Sequence, residues 1–271
     1  MIGYAQLMRD KVIVITGASG GIGAALSERA AARGARLVLA ARRERELKDV
    51  AARCGPQALP VVADVTRRED VRRILEGALS RFGHVDVWVN NAGRGITRKV
   101  SELGDEELDE MMRVNVKSAL YGIQAVLPHF KERRRGHIIN VSSMLGRVPY
   151  VPMRSAYSAA KHALNALTVG LRMELRDEFP EIHVSTVLPG VVATDFGVHA
   201  LGGGPDSRTL PFAQPVEEVA EVIVGLIEKP RAEVYTRPGL QQQAVAYYSA
   251  EDVAEAESRP PFVRPAPART S

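Results

Sequence analysis

The 271-residue chain predicts an α/β fold built on one parallel sheet, and three observations carry that prediction. Short apolar runs alternate with longer amphipathic stretches down most of the chain, and strands separated by helices pair in parallel through right-handed crossovers. The strand candidates are apolar throughout instead of alternating, as in a sheet covered by helices on both faces. The first of them runs directly into a glycine-rich turn that opens a helix.

Taken in order, residues 11–16 (Lys-Val-Ile-Val-Ile-Thr) read as the first strand. Residues 22–33, alanine-rich and closed by Gly34, read as the first helix and its C-terminal cap. Further strands are expected at 37–40, 58–63 and 85–90, with helices at 44–53 and 68–81 between them. One long helix is expected over 105–132, then a strand at 136–141 and a helix over 155–178. A strand at 182–188, a helix at 215–228 and a last strand at 233–236 complete the alternation. There is no second apolar core and no repeat, so a single domain is expected over 8–240. Residues 241–271 read as a proline-rich, irregular tail.

Composition narrows the function classes. The chain is 45% hydrophobic and 25% charged, ordinary for a globular protein with a sizeable core. A net charge of +4 arises from 36 basic and 32 acidic residues that are interleaved, which argues against a nucleic-acid partner. The densest basic run, Lys131-Glu-Arg-Arg-Arg135, falls at an expected helix end, where cations complement the helix dipole. Cys54 is the only cysteine, so no internal disulfide or cysteine-based zinc site is possible. His84 and His162 lack partners at metal-ligand spacing and read as surface residues, so no metal is expected. No apolar run reaches the roughly 20 residues needed to cross a bilayer, and residues 1–10 lack a signal-peptide core. A cytoplasmic location with no membrane partner is expected.

Two short segments carry chemistry. In Thr16-Gly-Ala-Ser-Gly-Gly-Ile-Gly23, Gly17, Gly21 and Gly23 follow a buried strand and open a helix. Glycines there let the backbone approach a dinucleotide pyrophosphate, and the helix N-terminus supplies amide donors. In Tyr157-Ser-Ala-Ala-Lys161 a phenol and an ammonium share one helix face. A neighbouring positive charge is expected to lower the phenol's pKa from its usual value of about 10, making it a usable acid or base near neutral pH. The second strand ends at Ala41, where an NAD site needs a carboxylate, and is followed by Arg42 and Arg43. Guanidinium forks there fit the 2′-phosphate of NADP, although solvated charges after a strand would look the same.

These segments, with Asn90-Asn-Ala-Gly93, Asn115, Ser142-Ser143 and Pro189-Gly190-x-x-x-Thr194, occur in the order that resembles the short-chain dehydrogenase/reductase family. The resemblance covers about residues 10–236 and implies a single Rossmann-type domain, a doubly wound parallel sheet of about seven strands with helices on both faces. It implies hydride transfer between a nicotinamide cofactor and a carbonyl or secondary alcohol, in a homodimer or homotetramer. Tyr157 would be the general acid/base, Lys161 would tune it and hold the nicotinamide ribose, and Asn115 would anchor a proton-relaying water, unless it only bridges local structure. Asp64 would meet the adenine, Asn90 and Gly93 would border the ribose, and Thr194 would hold the nicotinamide amide or pyrophosphate. Ser19, Ile22, Val65, Asn91, Ala92, Pro189, Gly190 and Val192 are the other cofactor contacts implied.

One departure concerns the serine that binds the substrate oxygen. The family's usual position, thirteen residues before the tyrosine, holds Met144, which has no hydroxyl. Counting from Gly146 selects Ser143, leaves Ser142 a structural neighbour and places one extra residue within 147–156, near 149–152. Residues 194–211 should form a lid carrying Phe196, Val198, Leu201 and Leu210 with a hinge at Gly202-Gly-Gly204. Those side chains suit an apolar substrate or, equally, an oligomer neighbour. A non-catalytic dinucleotide-binding regulator or scaffold on the same fold is the alternative, although such a protein is expected to lose Tyr157 or Lys161.

Overall fold

The structure is a computed structural model that describes residues 8–259 and 261. Residues 1–7 and most of the proline-rich end, on which the leader and tail readings partly fall, lie outside the described residues. Strands β1 (Val12–Thr16), β2 (Arg36–Ala41), β3 (Ala58–Val62), β4 (Val87–Asn90), β5 (Gly136–Val141), β6 (Ile182–Leu188) and β7 (Glu233–Tyr235) form one seven-stranded sheet. The order is β3-β2-β1-β4-β5-β6-β7, and every pair is parallel. Between them run helices α1 (Gly21–Ala31), α2 (Glu44–Cys54), α3 (Arg68–Phe82), α4 (Asp105–Met112), α5 (Ser118–Arg133), α6 (Ser155–Leu175) and α7 (Val216–Glu228).

The continuous apolar strands are explained by a core on each face. Pleating sends Ile13, Ile15, Leu37, Leu39 and Val89 to one side, where they meet Leu26 and Ala30 of α1 and Ile223 and Ile227 of α7. Val14, Val38, Trp88 and Ile138 point the other way, onto Ile74, Val126, Phe130 and Leu171. A polar chain crosses that second core. Trp88 Nε1 donates to Asn90 Oδ1 (2.8 Å), Asn90 Nδ2 to Asn140 Oδ1 (2.9 Å), and Asn140 Nδ2 to Thr168 Oγ1 (2.9 Å). Strand order reverses between β1 and β4, and the crevice beyond the strand C-termini at such a switch point is where α/β sheets bind ligands.

Two expectations are corrected. The long helix over 105–132 is interrupted by a π-turn, Arg113–Lys117, between α4 and α5. That wide turn aims Asn115 inward onto the main chain of Arg94. Residues 241–257 are not irregular: α8 (Leu240–Tyr248) and α9 (Val253–Glu257) occupy most of them. Leu240, Ala244 and Tyr247 form a stripe at helical spacing that packs with Met144, Val148 and Tyr150, so tertiary burial stabilises a helix whose composition is unremarkable. Among the described residues, no helix is long and apolar enough to cross a membrane.

Candidate active site

A cleft of ≈ 780 Å³ opens over the C-terminal ends of β1, β2, β4, β5 and β6. One end is built by the turn from β1 into α1. Gly17 has φ +68, and a Cβ on it would sit 2.9 Å from Ala92 Cα, while a Cβ on Gly23 would strike the Gly17 carbonyl. Only glycine lets these strands and the helix approach so closely. Asn91 fixes the turn from the β4 side: its Nδ2 donates to the Thr16 carbonyl at 2.9 Å, and its main-chain N–H donates to Thr16 Oγ1 at 3.0 Å. Helix α1 has no side-chain cap and no acid in its first turn, whereas α2, α3, α4 and α7 all begin with carboxylates. An uncapped, acid-free N-terminus facing a cleft leaves its amides and the positive dipole end for an anion.

Beside this turn, Ala41 ends β2 with no carboxylate, and Arg43 reaches back over it. Its Nε donates to Ser19 Oγ (3.2 Å) and its Nη2 to the Ser19 carbonyl (3.3 Å). Arg42 is exposed and also lines the cleft, with Ser19, Gly21, Ile22, Asp64 and Val65. Asp64 Oδ1 accepts from Thr66 N and Oγ1, which fixes the loop after β3. Ala92, Gly93, Pro189, Gly190, Val192 and Thr194 line the middle of the cleft. Asn90 does not; it is buried in the polar chain between Trp88 and Asn140, because strand alternation gives the cleft to Asn91 instead.

At the other end, α6 presents Tyr157 and Lys161 to the cleft, both buried. Lys161 Nζ donates to the Val141 carbonyl at 2.9 Å and lies 5.6 Å from the Tyr157 ring centroid. The expected lowering of the phenol pKa by Lys161 is overturned. Burial pushes Tyr157 up to about 12, with the Ser143 hydroxyl and the Arg154 guanidinium pulling the other way, and burial brings Lys161 down to about 8. Removal from water disfavours both charged forms, and at the phenol it outweighs the pull of Ser143 and Arg154.

Ser143, in extended conformation ahead of a 3₁₀ turn, lines the cleft beside Tyr157, where its hydroxyl favours the charged form of the phenol, and its Oγ accepts from Leu145 N (3.1 Å). Ser142 points away, toward the Lys161 carbonyl. Asn115 has both side-chain polar atoms engaged: Oδ1 accepts from Arg94 N (3.1 Å), and Nδ2 donates to the Arg94 carbonyl (2.9 Å) and to Met111 O. It braces the wall after Gly93. His162 is half-buried, with its ring nitrogens on the Ser158 and Arg147 carbonyls, and is not the surface residue the sequence suggests. His84 is likewise half-buried, against Asp86 at 3.0 Å. Among the described residues, no cluster of three or more acidic, histidine or cysteine side chains could hold a metal.

The lid expectation divides. Phe196 stacks edge-on against Tyr157 at 5.7 Å between centroids, and Leu210 lines the cleft, but Val198 is exposed and Leu201 packs beside Ile96. The segment is fastened down: Leu201 N donates to Gly95 O (2.9 Å), Thr97 N to Leu201 O (2.8 Å) and Thr97 Oγ1 to Gly203 O (2.6 Å). The sequence reading missed Arg154, although its position three residues before Tyr157 puts it on the same edge of α6.

Comparison with known proteins agrees with this geometry. Residues 11–200 match the family model for short chain dehydrogenase. An uncharacterized oxidoreductase of Bacillus subtilis (strain 168), YxnA, is 38% identical over 250 residues, covering 90% of this chain and 69% of its own. A short chain dehydrogenase from Burkholderia cenocepacia J2315 solved with NADP superposes with TM-score 0.77 at 31% identity, over 95% of this chain and 99% of that one. A short chain dehydrogenase/reductase from Burkholderia phymatum, solved with NAD, superposes with TM-score 0.82 at 25% identity, over 96% of this chain and 98% of that one.

Proposed function

The chain belongs to the short-chain dehydrogenase/reductase family of oxidoreductases, and from that premise we propose that it transfers a hydride between NADP(H) and a carbonyl or secondary-alcohol substrate with an apolar flank. The carrying observation is that buried Tyr157, Ser143 and Lys161 line the same cleft as the glycine turn and Arg43. The residues present fit a dinucleotide: a glycine-walled turn, a free helix N-terminus, and arginines where a carboxylate would exclude a 2′-phosphate. Arg42 and Arg43 would hold that phosphate, and the Gly17–Gly23 turn with Thr194 would hold the pyrophosphate.

When bound, the nicotinamide supplies or accepts the hydride. The chain's own part is proton handling. Ser143 donates a hydrogen bond to the substrate oxygen and orients it toward Tyr157. The phenol, neutral at physiological pH and held more firmly so by burial, gives its proton to the oxygen as negative charge develops there. The Lys161 ammonium and the Arg154 guanidinium stabilise the phenolate left behind. Phe196 covers the phenol and keeps water off it. A homo-oligomeric, cytoplasmic enzyme is part of this reading, the assembly being what the family implies.

The deciding experiment screens ketones and secondary alcohols with both cofactors and compares kcat/KM. NADP(H) is expected to win, and Arg42→Ala with Arg43→Ala is expected to shrink the preference by roughly 10- to 100-fold, the worth of charge-assisted phosphate contacts. A clear NAD(H) preference, or a ratio untouched by the double substitution, overturns the cofactor assignment.

A further inference from the structure

The cations that line the cleft are nearly all accounted for. Arg94 is paired with Glu110, Arg43 rests on Ser19, Lys161 is bonded to Val141, and Arg42 is exposed to solvent. Arg154 differs. It closes the 3₁₀ turn Pro152–Arg154 that leads into α6, it is half-buried, and its Nη1 is buried with no hydrogen-bond partner. No carboxylate pairs with it among the described residues. A Cβ on Gly95 would lie 2.5 Å from Nη1 and one on Gly204 would lie 2.9 Å from Nη2, so the guanidinium is wedged between the Gly95 wall and the lid. The absence of side chains at those two positions leaves room for it.

A buried guanidinium nitrogen with an unmade hydrogen bond is unfavourable unless something completes it, and among the described residues nothing does. A ligand in the cleft can. Arg154 precedes Tyr157 by three residues at the helix edge, and its Nη1 and Phe196 Cε1 flank the same point on Gly95 while Phe196 stacks on Tyr157, so the fork lies at the Tyr157 end of the cleft and not at the end lined by Arg42 and Arg43. Leu145, Val151, Phe196 and Leu210 give the cleft an apolar wall, and the lid's lining carboxylate, Asp195, is paired with His199.

We propose that the substrate is an oxo acid, or the corresponding hydroxy acid, whose carboxylate is held by Arg154 a few bonds from the carbonyl that Tyr157 protonates. The planar guanidinium fork matches a carboxylate in a bidentate arrangement, and the apolar wall takes the carbon chain beyond it. This inference rests on the hydride-transfer reading and adds the substrate class. Arg154 is then a specificity-determining residue, and it selects acids over esters and amides of the same shape.

The test compares kcat/KM for 2-, 3- and 4-oxohexanoate with that for the methyl ester of each, using NADPH, in wild type, Arg154→Met and Arg154→Lys. At least one acid is expected to exceed its ester by roughly 10- to 100-fold in wild type. Arg154→Met is expected to bring that ratio near one, and Arg154→Lys to restore part of it. Any effect of Arg154 on the Tyr157 pKa reaches acid and ester alike and cancels in the ratio. NADPH binding, followed by nicotinamide fluorescence, checks that each variant is folded. If esters and acids are turned over equally, or Arg154→Met and Arg154→Lys both keep the wild-type ratio, the inference is overturned while hydride transfer stands. If no carbonyl compound in the wider screen is reduced, the hydride-transfer reading falls and takes this one with it.

Discussion

The Lys161 ammonium donates to the Val141 carbonyl at 2.9 Å while standing 5.6 Å from the centre of the Tyr157 ring. The last residue of β5 therefore fixes the lysine, and the sheet and helix α6 together set its distance from the phenol. Both groups are buried, so each resists its charged form.

A pH dependence of stability follows. Lys161 has a folded pKa of about 8 against 10.5 for an ordinary lysine, so below pH 8 it is charged in both states and its burial opposes folding. Between the two values the unfolded chain holds a proton that the folded one has lost, and stability rises with pH. Tyr157 acts in the opposite sense from pH 10 upward, since its pKa is raised to about 12. Urea unfolding from pH 7.5 to 9.5 should show wild type gaining on the order of 1–2 kcal/mol relative to Lys161→Met. Parallel curves for the two proteins would contradict the assignment.

Tyr157→Phe removes only the hydroxyl. Turnover is expected to fall by about 10²- to 10⁴-fold, the usual contribution of a positioned acid or base, with NADPH binding retained. Steady-state rates together with cofactor fluorescence check it, and near-wild-type turnover would remove Tyr157 from the chemistry.

The two adjacent serines separate cleanly. Ser143 lines the cleft beside the Tyr157 phenol and Ser142 faces the Lys161 carbonyl, so Ser143→Ala should lower kcat/KM by roughly 10- to 100-fold, the cost of a lost hydrogen bond to developing charge. Ser142→Ala should act mainly on the melting temperature. The reverse pattern in these two assays shows that the other serine is the substrate partner.

Gly122 on α5 lies against the buried Trp88–Asn90 hydrogen bond, and a Cβ there would strike both partners. Gly122→Ala should cost about 1–3 kcal/mol by overpacking. Gly225→Ala on α7 meets nothing within 4 Å and should instead gain up to about 1 kcal/mol of helix propensity. Chemical denaturation of the two variants gives the comparison, and equal midpoints would mean that the packing around Asn90 yields easily.

Much of this was legible in the chain because the signals are local. A strand buried on both faces, a glycine turn and an i,i+4 pair are each written in consecutive residues, and β5 and β6 fall where the apolar runs put them. The sequence offers both Asn90 and Asn91 to the cofactor and only Asn91 lines the cleft, since which of two adjacent asparagines faces it depends on the pleat of β4 against β5. The Tyr157 pKa was misjudged because spacing reveals a neighbouring charge but not the depth of burial. Helix α8 was missed because what holds it is the loop after Ser143, about a hundred residues away in sequence, including the Tyr248 hydroxyl bond to the Arg147 carbonyl at 2.6 Å.

The interval between Ser143 and Tyr157 joins two anchors of different kinds. Ser143 is set by the end of β5, with Ser142 N on the Val187 carbonyl and Met144 N on that of Pro189, and Tyr157 is set by the third residue of α6. Between them the chain makes two 3₁₀ turns and a loop. That stretch is the adjustable part of a tether: a residue gained or lost there changes the length of the loop while both ends stay held by their own anchors. The serine–tyrosine–lysine geometry can therefore stay constant while evolution, or an engineer, redraws the wall that faces the substrate.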